Sequence, residues 1–175
     1  MAPRSLLLSD RSGTAAVEMA LVAPFLILLM FLSVEMGNYM MTEQAVAKQV
    51  RDAARYAARI PIATATTSNY TCPSTVDPTA KSNIINVTKT GSVDGTATGR
   101  FPATFWTNAC TGSDSSVSVT HRCVPKANYS GVWAGLGTDI PVVTVSADVP
   151  YTDLFGISLK GLCMHAHSEA PVAGL

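Results

Sequence analysis

One stretch near the N-terminus constrains the fold more than any other: SDRSGTAAVEMALVAPFLILLMFLSVEMG, residues 9–37. Residues 19–34 carry no charge, and Glu18 and Glu35 flank them. A helix needs about 20 apolar residues to cross a bilayer. The uncharged run is therefore short, whereas a run that starts at Thr14 and includes Glu18 is long enough. A carboxylate within a bilayer is costly, so Glu18 is a candidate functional residue. We expect Glu35 to lie at the far edge, near water.

Three kinds of N-terminal segment fit this stretch. A secretory signal peptide fits its basic start and apolar run, but no small-residue cleavage site follows promptly. An uncut signal anchor fits too and gives Glu18 no role. The third is a leader similar to that of type IV prepilins, and it explains the most residues. In that form residues 1–13 are a cytoplasmic leader cut after Gly13, and the new amine of Thr14 pairs with Glu18 of a neighbouring subunit.

Two signals disagree about which side of the membrane holds the rest of the chain. More basic residues follow the apolar run than precede it, which favours a cytoplasmic C-terminal domain; they are Lys48, Arg51, Arg55 and Arg59, against Arg4 and Arg11. The cysteines favour an oxidising compartment, because they are even in number and scattered through a Ser/Thr-rich region. They are Cys72, Cys110, Cys123 and Cys163. We follow the cysteines, although free thiols in a cytosolic domain are an alternative.

The cysteines are candidates for two disulfides in any of three pairings. We favour Cys72–Cys110 together with Cys123–Cys163, and Cys110–Cys123 is a close alternative. Cys163 also alternates with His165 and His167 along one predicted strand, and His121 lies on another. A metal site from these residues lacks a fourth ligand at a matched spacing. We therefore interpret them as a solvated strand face and predict no metal and no cofactor.

The composition and the motifs argue against two broad functions. The formal net charge is +0, and only 14% of residues are charged, so no basic field attracts nucleic acid. The sequence has no phosphate-binding loop, no nucleophile elbow and no paired acid–base carboxylates. We therefore predict that the protein is not an enzyme and does not bind nucleic acid.

Periodicity predicts an α+β fold. After the apolar run, helix continues to just before Pro61, with a narrow apolar stripe that packs on the chain's own C-terminal domain or on a partner helix. The stripe comprises Met36, Tyr39, Glu43, Val46, Val50, Ala53, Ala57 and Ile60. Alternating residues predict strands at 115–124, 142–149 and 157–169, with a bulge at Gly161, and residues 83–88 are a further candidate strand.

The predicted fold is therefore one long N-terminal helix, half transmembrane and half amphipathic, packed on a small antiparallel sheet of about three to four strands. The predicted segments are a leader at 1–13, a transmembrane helix at 14–37, an amphipathic extension at 38–60 and an exported domain at 61–175.

The stretch GTAAVEMALVAPFLILLMFLSVEMG and the Ala/Arg-rich helix after it resemble the TadE-like family of tight-adherence (Tad) pilus minor pilins and pseudopilins. That family has a small-residue run, a Val-Glu step, a proline, an apolar span and a Glu-hydrophobic-Gly step. The matching residues here are Val17, Glu18, Ala20, Leu21, Pro24, Glu35, Gly37 and residues 53–58. Met19 stands where the family usually has an aromatic residue. VTVSADVPYTDLFG also resembles the family's strand and Pro-Tyr turn.

The resemblance implies a minor pilin in a Tad (type IVc) pilus system. Such a protein is anchored in the bacterial inner membrane by a single pass, with its C-terminal domain in the periplasm. It is processed by a prepilin peptidase and acts with other pilins and pilus-assembly proteins in fibre assembly and adhesion. A single-pass envelope protein whose exported domain binds a ligand is the alternative function.

Overall fold

The computed structural model describes residues 12–62, 72–107, 110, 116–125, 139–156 and 161–173. These residues form two α-helices, one short 3₁₀ helix and three β-strands. The chain divides into two compact units, Met1–Met40 and Met41–Leu175. The elements confirm the predicted α+β class.

The first helix, α1, runs through Ser12–Ala57 without a break, as the sequence predicts. Alanine, leucine and methionine favour helix along most of it. Pro24 lies inside α1, where it has no N–H to bond to the carbonyl of Ala20. The large apolar side chains between residues 17 and 40 are exposed in the structure. This part of α1 is long and apolar enough to cross a membrane, which fits the predicted transmembrane half.

The second unit contains a three-stranded antiparallel meander in the order β1-β2-β3. The strands are β1 (Val117–Pro125), β2 (Asp139–Pro150) and β3 (Cys163–Pro171). They confirm the three strands that alternation predicts. Val119 lies opposite Val145, and Ala147 lies opposite both Val117 and Ala166. This register places the apolar residues of all three strands on the same face.

That apolar face forms much of the core. Its fully buried members are Val117, Val119, Val143, Val145, Ala147, Val149 and Met164. The opposite face carries polar side chains, which include Ser118, Thr120, Thr144, Ser146, His165, His167 and Glu169. A meander with one apolar face requires a cover, because sheets bury that face against another layer.

The second half of α1 adds small buried side chains to the core of the second unit. Val46, Val50, Ala53 and Ala57 are each 0% exposed, and Ala45 and Ala54 are nearly so. On other faces of the helix Lys48, Asp52 and Arg55 are exposed, and so is Arg59 in the turn after it. Beyond the helix end, the N–H of Ala173 donates to the carbonyl of Ala58 at 2.9 Å. This bond joins the segment after β3 to the segment after α1. The predicted stripe is thus confirmed from residue 46 to residue 57.

The second helix, α2, corrects the prediction of a strand at residues 83–88. Residues Pro78–Thr90 are helical instead. Asp77 caps the helix by accepting hydrogen bonds from the N–H groups of Thr79 and Ala80, at 2.9 and 3.0 Å. Pro78 occupies the first turn, where its fixed φ favours helix, and Gly91 ends the helix with a φ of 76°. Ala80, Ile84 and Thr88 are buried at a spacing of four residues, which is helical spacing.

The predicted bulge at Gly161 is also wrong. Gly161 has a φ of 99° and lies in a turn before β3, which begins at Cys163. Left-handed backbone of this kind favours glycine. The predicted strand residues Ile157 and Leu159 lie outside the described residues.

Both disulfides form, but their pairing differs from the one we favoured. Cys72 bonds to Cys123 and Cys110 bonds to Cys163, with Cα–Cα distances of 5.8 and 6.0 Å. The register excludes the predicted Cys123–Cys163 bond. Cys123 lies opposite Pro141 and Cys163 opposite Pro150, at far ends of β2 and on opposite sides of it. Strands rise about 3.3 Å per residue, so the two cysteines are about 30 Å apart along the sheet.

Candidate functional site

The residues predicted to take part in processing and assembly lie in the first two turns of α1. Gly13, Thr14 and Glu18 are all exposed. Together with Val17 they line one shallow, open depression on the helix surface. Thr14 and Glu18 therefore share a face of the helix, as residues four apart should.

The spacing of Thr14 and Glu18 suits an interaction at the helix start. Four residues correspond to about 6 Å along the axis. Side chains of an α-helix tilt towards its N-terminus, so the Glu18 carboxylate leans towards the Thr14 turn. The first turn of α1 contains no acidic residue, and Glu18 lies in the second turn. A helix start carries partial positive charge and favours an anion. A free amine on Thr14 would add a full positive charge there.

Gly13 is not required by packing or by backbone conformation. A Cβ built on it meets no atom of the described residues within 4 Å, and its φ is not in the left-handed region. The fold of the described residues therefore does not explain why this position is a glycine. Gly13 can also be substituted without disturbing neighbouring side chains.

The environment of Glu35 differs from the prediction, which placed this residue near water at the far edge of the apolar run. Glu35 is only 5% exposed, while Val34 and Met36 on either side are 45% and 52% exposed. Burying a carboxylate is costly unless polar partners satisfy it. The two glutamates that flank the apolar run therefore lie in different environments, with Glu18 exposed and Glu35 buried.

Cys163, His165 and His167 share the polar face of β3, and both histidines are exposed, which confirms the predicted solvated strand face. His121 lies on the opposite face of the sheet, since it pairs with Val143. Cys163 is bonded to Cys110. His165 places Nδ1 at 2.5 Å from Oδ1 of Asp148, and His121 lies on β1, at the other edge of the sheet from β3. The structure instead brings together Cys72, His121 and Cys123, whose candidate ligand atoms all lie within 4.8 Å of one another.

The polar sheet face contains cross-strand pairs that sequence reasoning missed. Arg122 donates to Glu169 at 2.8 Å, and Thr144 donates to the same carboxylate at 3.3 Å. Hydrogen bonding and charge from Arg122 lower the pKa of Glu169. The hydroxyls of Ser118 and Ser146 are 2.7 Å apart. The alternation of residues in each strand indicates which side chains share a face. Which of them lie next to each other across strands depends on the register of the sheet.

A second group missed from the sequence follows α2. Asp94 accepts hydrogen bonds from the Ser92 hydroxyl and from the hydroxyl and N–H of Thr96. These bonds lower the pKa of Asp94 to about 2. The Ser-x-Asp-x-Thr pattern between glycines is the sequence signal for such a turn, because short polar side chains bond to nearby backbone. The group stabilises the turn in its ionised form.

Comparison with known proteins finds a family match for the helix that carries Glu18. Residues 13–55 match the family described as TadE-like protein. The match begins at Gly13 and ends two residues before the end of α1. No curated protein and no solved structure matches the chain. The similarity to the TadE-like family therefore lies within α1.

Proposed function

We propose that this protein is a minor pilin or pseudopilin of a Tad (type IVc) pilus system, with a structural rather than a catalytic role. The TadE-like match over residues 13–55 carries the proposal. The exposed apolar surface of α1 between residues 17 and 40 supports it. Such a surface is stable in lipid or against other apolar helices. In this proposal α1 leaves the lipid and packs against the helices of other pilins when the fibre assembles.

In this proposal a prepilin peptidase cuts between Gly13 and Thr14. Glu18 then pairs with the Thr14 amine of a neighbouring pilin. Its exposure leaves it accessible to another subunit. An unpaired carboxylate and an unpaired amine are each costly in lipid, so their pairing favours the assembled state. The pair would help to assemble or prime an adhesive fibre.

The proposed topology is a single pass through the bacterial inner membrane with the C-terminal domain in the periplasm. The two disulfides support it, since all four cysteines lie beyond the apolar helix. Disulfides persist in the periplasm and are rare in the cytosol. Leader residues 1–13 would then be cytoplasmic, where the peptidase meets them at the membrane surface.

Substitution of Glu18 tests the assembly role. We expect Glu18→Gln to insert into the membrane normally and to reduce surface fibres at least tenfold, because the amide cannot form an ion pair. Glu18→Asp, which keeps the charge, should retain part of the assembly. Asp52→Asn is the control, because Asp52 is an exposed carboxylate of the same helix outside the apolar run, and it should leave assembly intact. Normal fibres with Glu18→Gln would refute the pairing role.

The second candidate function is a membrane-anchored envelope protein whose exported domain binds a ligand outside any pilus. The solvated polar face of the sheet, with its Arg122–Glu169 and His165–Asp148 pairs, is the observation that favours it. The same experiment separates the two functions. An envelope protein of this kind would retain its activity with Glu18→Gln and would not copurify with pilins after crosslinking in the membrane.

A further inference from the structure

The Cys72–Cys123 disulfide lies beside an imidazole. Cys123 and His121 are two residues apart on β1, so their side chains leave the same face of the strand. The disulfide brings Cys72 to that face. The two Sγ atoms and one nitrogen of His121 all lie within 4.8 Å of one another. Two thiolates and an imidazole are the ligands that Zn²⁺ prefers.

A backbone carbonyl orients the imidazole. Nε2 of His121 is 2.6 Å from the carbonyl oxygen of Pro73, the residue after Cys72. A carbonyl only accepts hydrogen bonds, so Nε2 carries the proton, and Nδ1 of the neutral ring retains a lone pair. Histidines that bind metals commonly donate their other N–H to a carbonyl, which fixes the ring. With Nδ1 as the ligand atom, the Pro73 carbonyl would fill that role.

The two disulfides differ in their access to solvent. Cys123 is exposed and Cys72 is half-buried, whereas in the other disulfide Cys110 is only 6% exposed and Cys163 is half-buried. Thiol–disulfide exchange requires a thiolate to reach a sulfur atom. A reductant should therefore open Cys72–Cys123 before Cys110–Cys163.

We propose that Cys72, His121 and Cys123 form a Zn²⁺ site when their disulfide is reduced. A dithiol supplies two electrons and two protons and is itself oxidised to a disulfide, leaving two thiols on the protein. Zn²⁺ then displaces both thiol protons, and two thiolates and the imidazole coordinate the metal. Water takes the fourth position of the tetrahedral ion. The same cysteines thus form a disulfide when oxidised and a metal site when reduced.

Zinc titration of the full-length protein in detergent tests this inference. The double variant Cys110→Ser/Cys163→Ser retains only the proposed site's cysteines. After reduction with a dithiol and anaerobic removal of the reductant, we expect it to bind one equivalent of Zn²⁺ in competition with a chromogenic chelator. Co²⁺ in its place should give a thiolate charge-transfer band. The oxidised protein should bind neither metal at this site.

Histidine variants identify the third ligand. In the same background His121→Gln should weaken Zn²⁺ binding at least about tenfold, while His165→Gln, on β3, should leave it unchanged. Equal affinity with and without His121, or no binding by folded reduced protein, would overturn the proposal.

A further variant covers the case in which reduction unfolds the domain. Cys72→His offers two imidazoles and one thiol without any need for a reductant, and it leaves Cys110–Cys163 intact. We expect it to bind Zn²⁺ more tightly than Cys72→His/His121→Gln, with circular dichroism as the check that both are folded. Equal affinities would overturn the proposed geometry.

Discussion

Arg122 on β1 forms an ion pair with Glu169 on β3 at 2.8 Å, although β2 lies between the two strands. Thr144 of β2 donates to the other oxygen of the same carboxylate. One carboxylate thereby connects all three strands on the polar face of the sheet. Glu169 lies opposite Thr144, and Arg122 lies opposite Val142, so the ion pair runs diagonally across β2.

The pairing predicts a pH-dependent contribution of Glu169 to stability. Arg122 lowers the pKa of Glu169 in the folded protein from its ordinary value of 4.5. The contribution is therefore present above the unfolded-state pKa and is lost as the pH falls through the lowered folded-state pKa. Glu169→Gln should lower Tm slightly at pH 7, and the difference from wild type should disappear in acid. The effect is small because the side chains of Arg122 and Glu169 are 58% and 44% exposed.

Thermal melts of both proteins at a series of pH values measure this difference. In an Arg122→Gln background, Glu169→Gln should change Tm much less at every pH, because the main partner is absent. A Tm difference that stays constant down to acid pH would contradict the assignment of the pKa shift to Arg122.

Ala53 tests whether the stripe on α1 packs within its own chain. It is 0% exposed, so Ala53→Leu should overpack the core and reduce the free energy of unfolding by about 1–3 kcal/mol. Lys48→Leu, on an exposed face of the same helix, should change it little. Denaturant unfolding in detergent measures both. If the stripe instead met a partner subunit, Ala53→Leu would leave the monomer's stability unchanged.

Disulfide mapping tests the cysteine pairing of the structure, which differs from the predicted pairing. Trypsin separates all four cysteines, because Lys or Arg lies between each neighbouring pair in the sequence. Non-reducing mass spectrometry should find Cys72 linked to Cys123 and Cys110 linked to Cys163. Cys110→Ser/Cys163→Ser should cost about 2–4 kcal/mol of stability. A peptide that links Cys123 to Cys163 would contradict the register of the sheet.

The parts of the fold that follow from periodicity were predictable from the sequence. The alternation of Val143, Val145 and Val149 marks a half-buried strand whatever its neighbours are, and the spacing of Val46, Val50 and Ala57 marks a helix face. Glu18 and Gly13 were predicted differently, from a carboxylate within an apolar run and from a leader similar to that of type IV prepilins, and their roles stay predictions. These signals are local, so they do not depend on how the chain folds back.

The errors fall where local and distant signals compete. NIINVT has strand propensity, but Asp77 and Pro78 before it start a helix, and capping decided the outcome. The disulfide pairing depends on which strand is central, and nothing local to Cys123 or Cys163 reveals that. Glu35 is buried within a segment whose neighbours are exposed, and its position in the sequence could not reveal that.

The N-terminus of the membrane-bound protein tests the central claim most directly. Gly13→Leu is the matched variant, since a side chain at Gly13 meets no described neighbour in the folded helix and should leave folding unchanged. N-terminal sequencing and intact mass of both proteins should give a start at Thr14 for the wild type and at the uncut leader for Gly13→Leu. A wild-type protein that keeps residues 1–13 in cells with normal fibres would contradict the account.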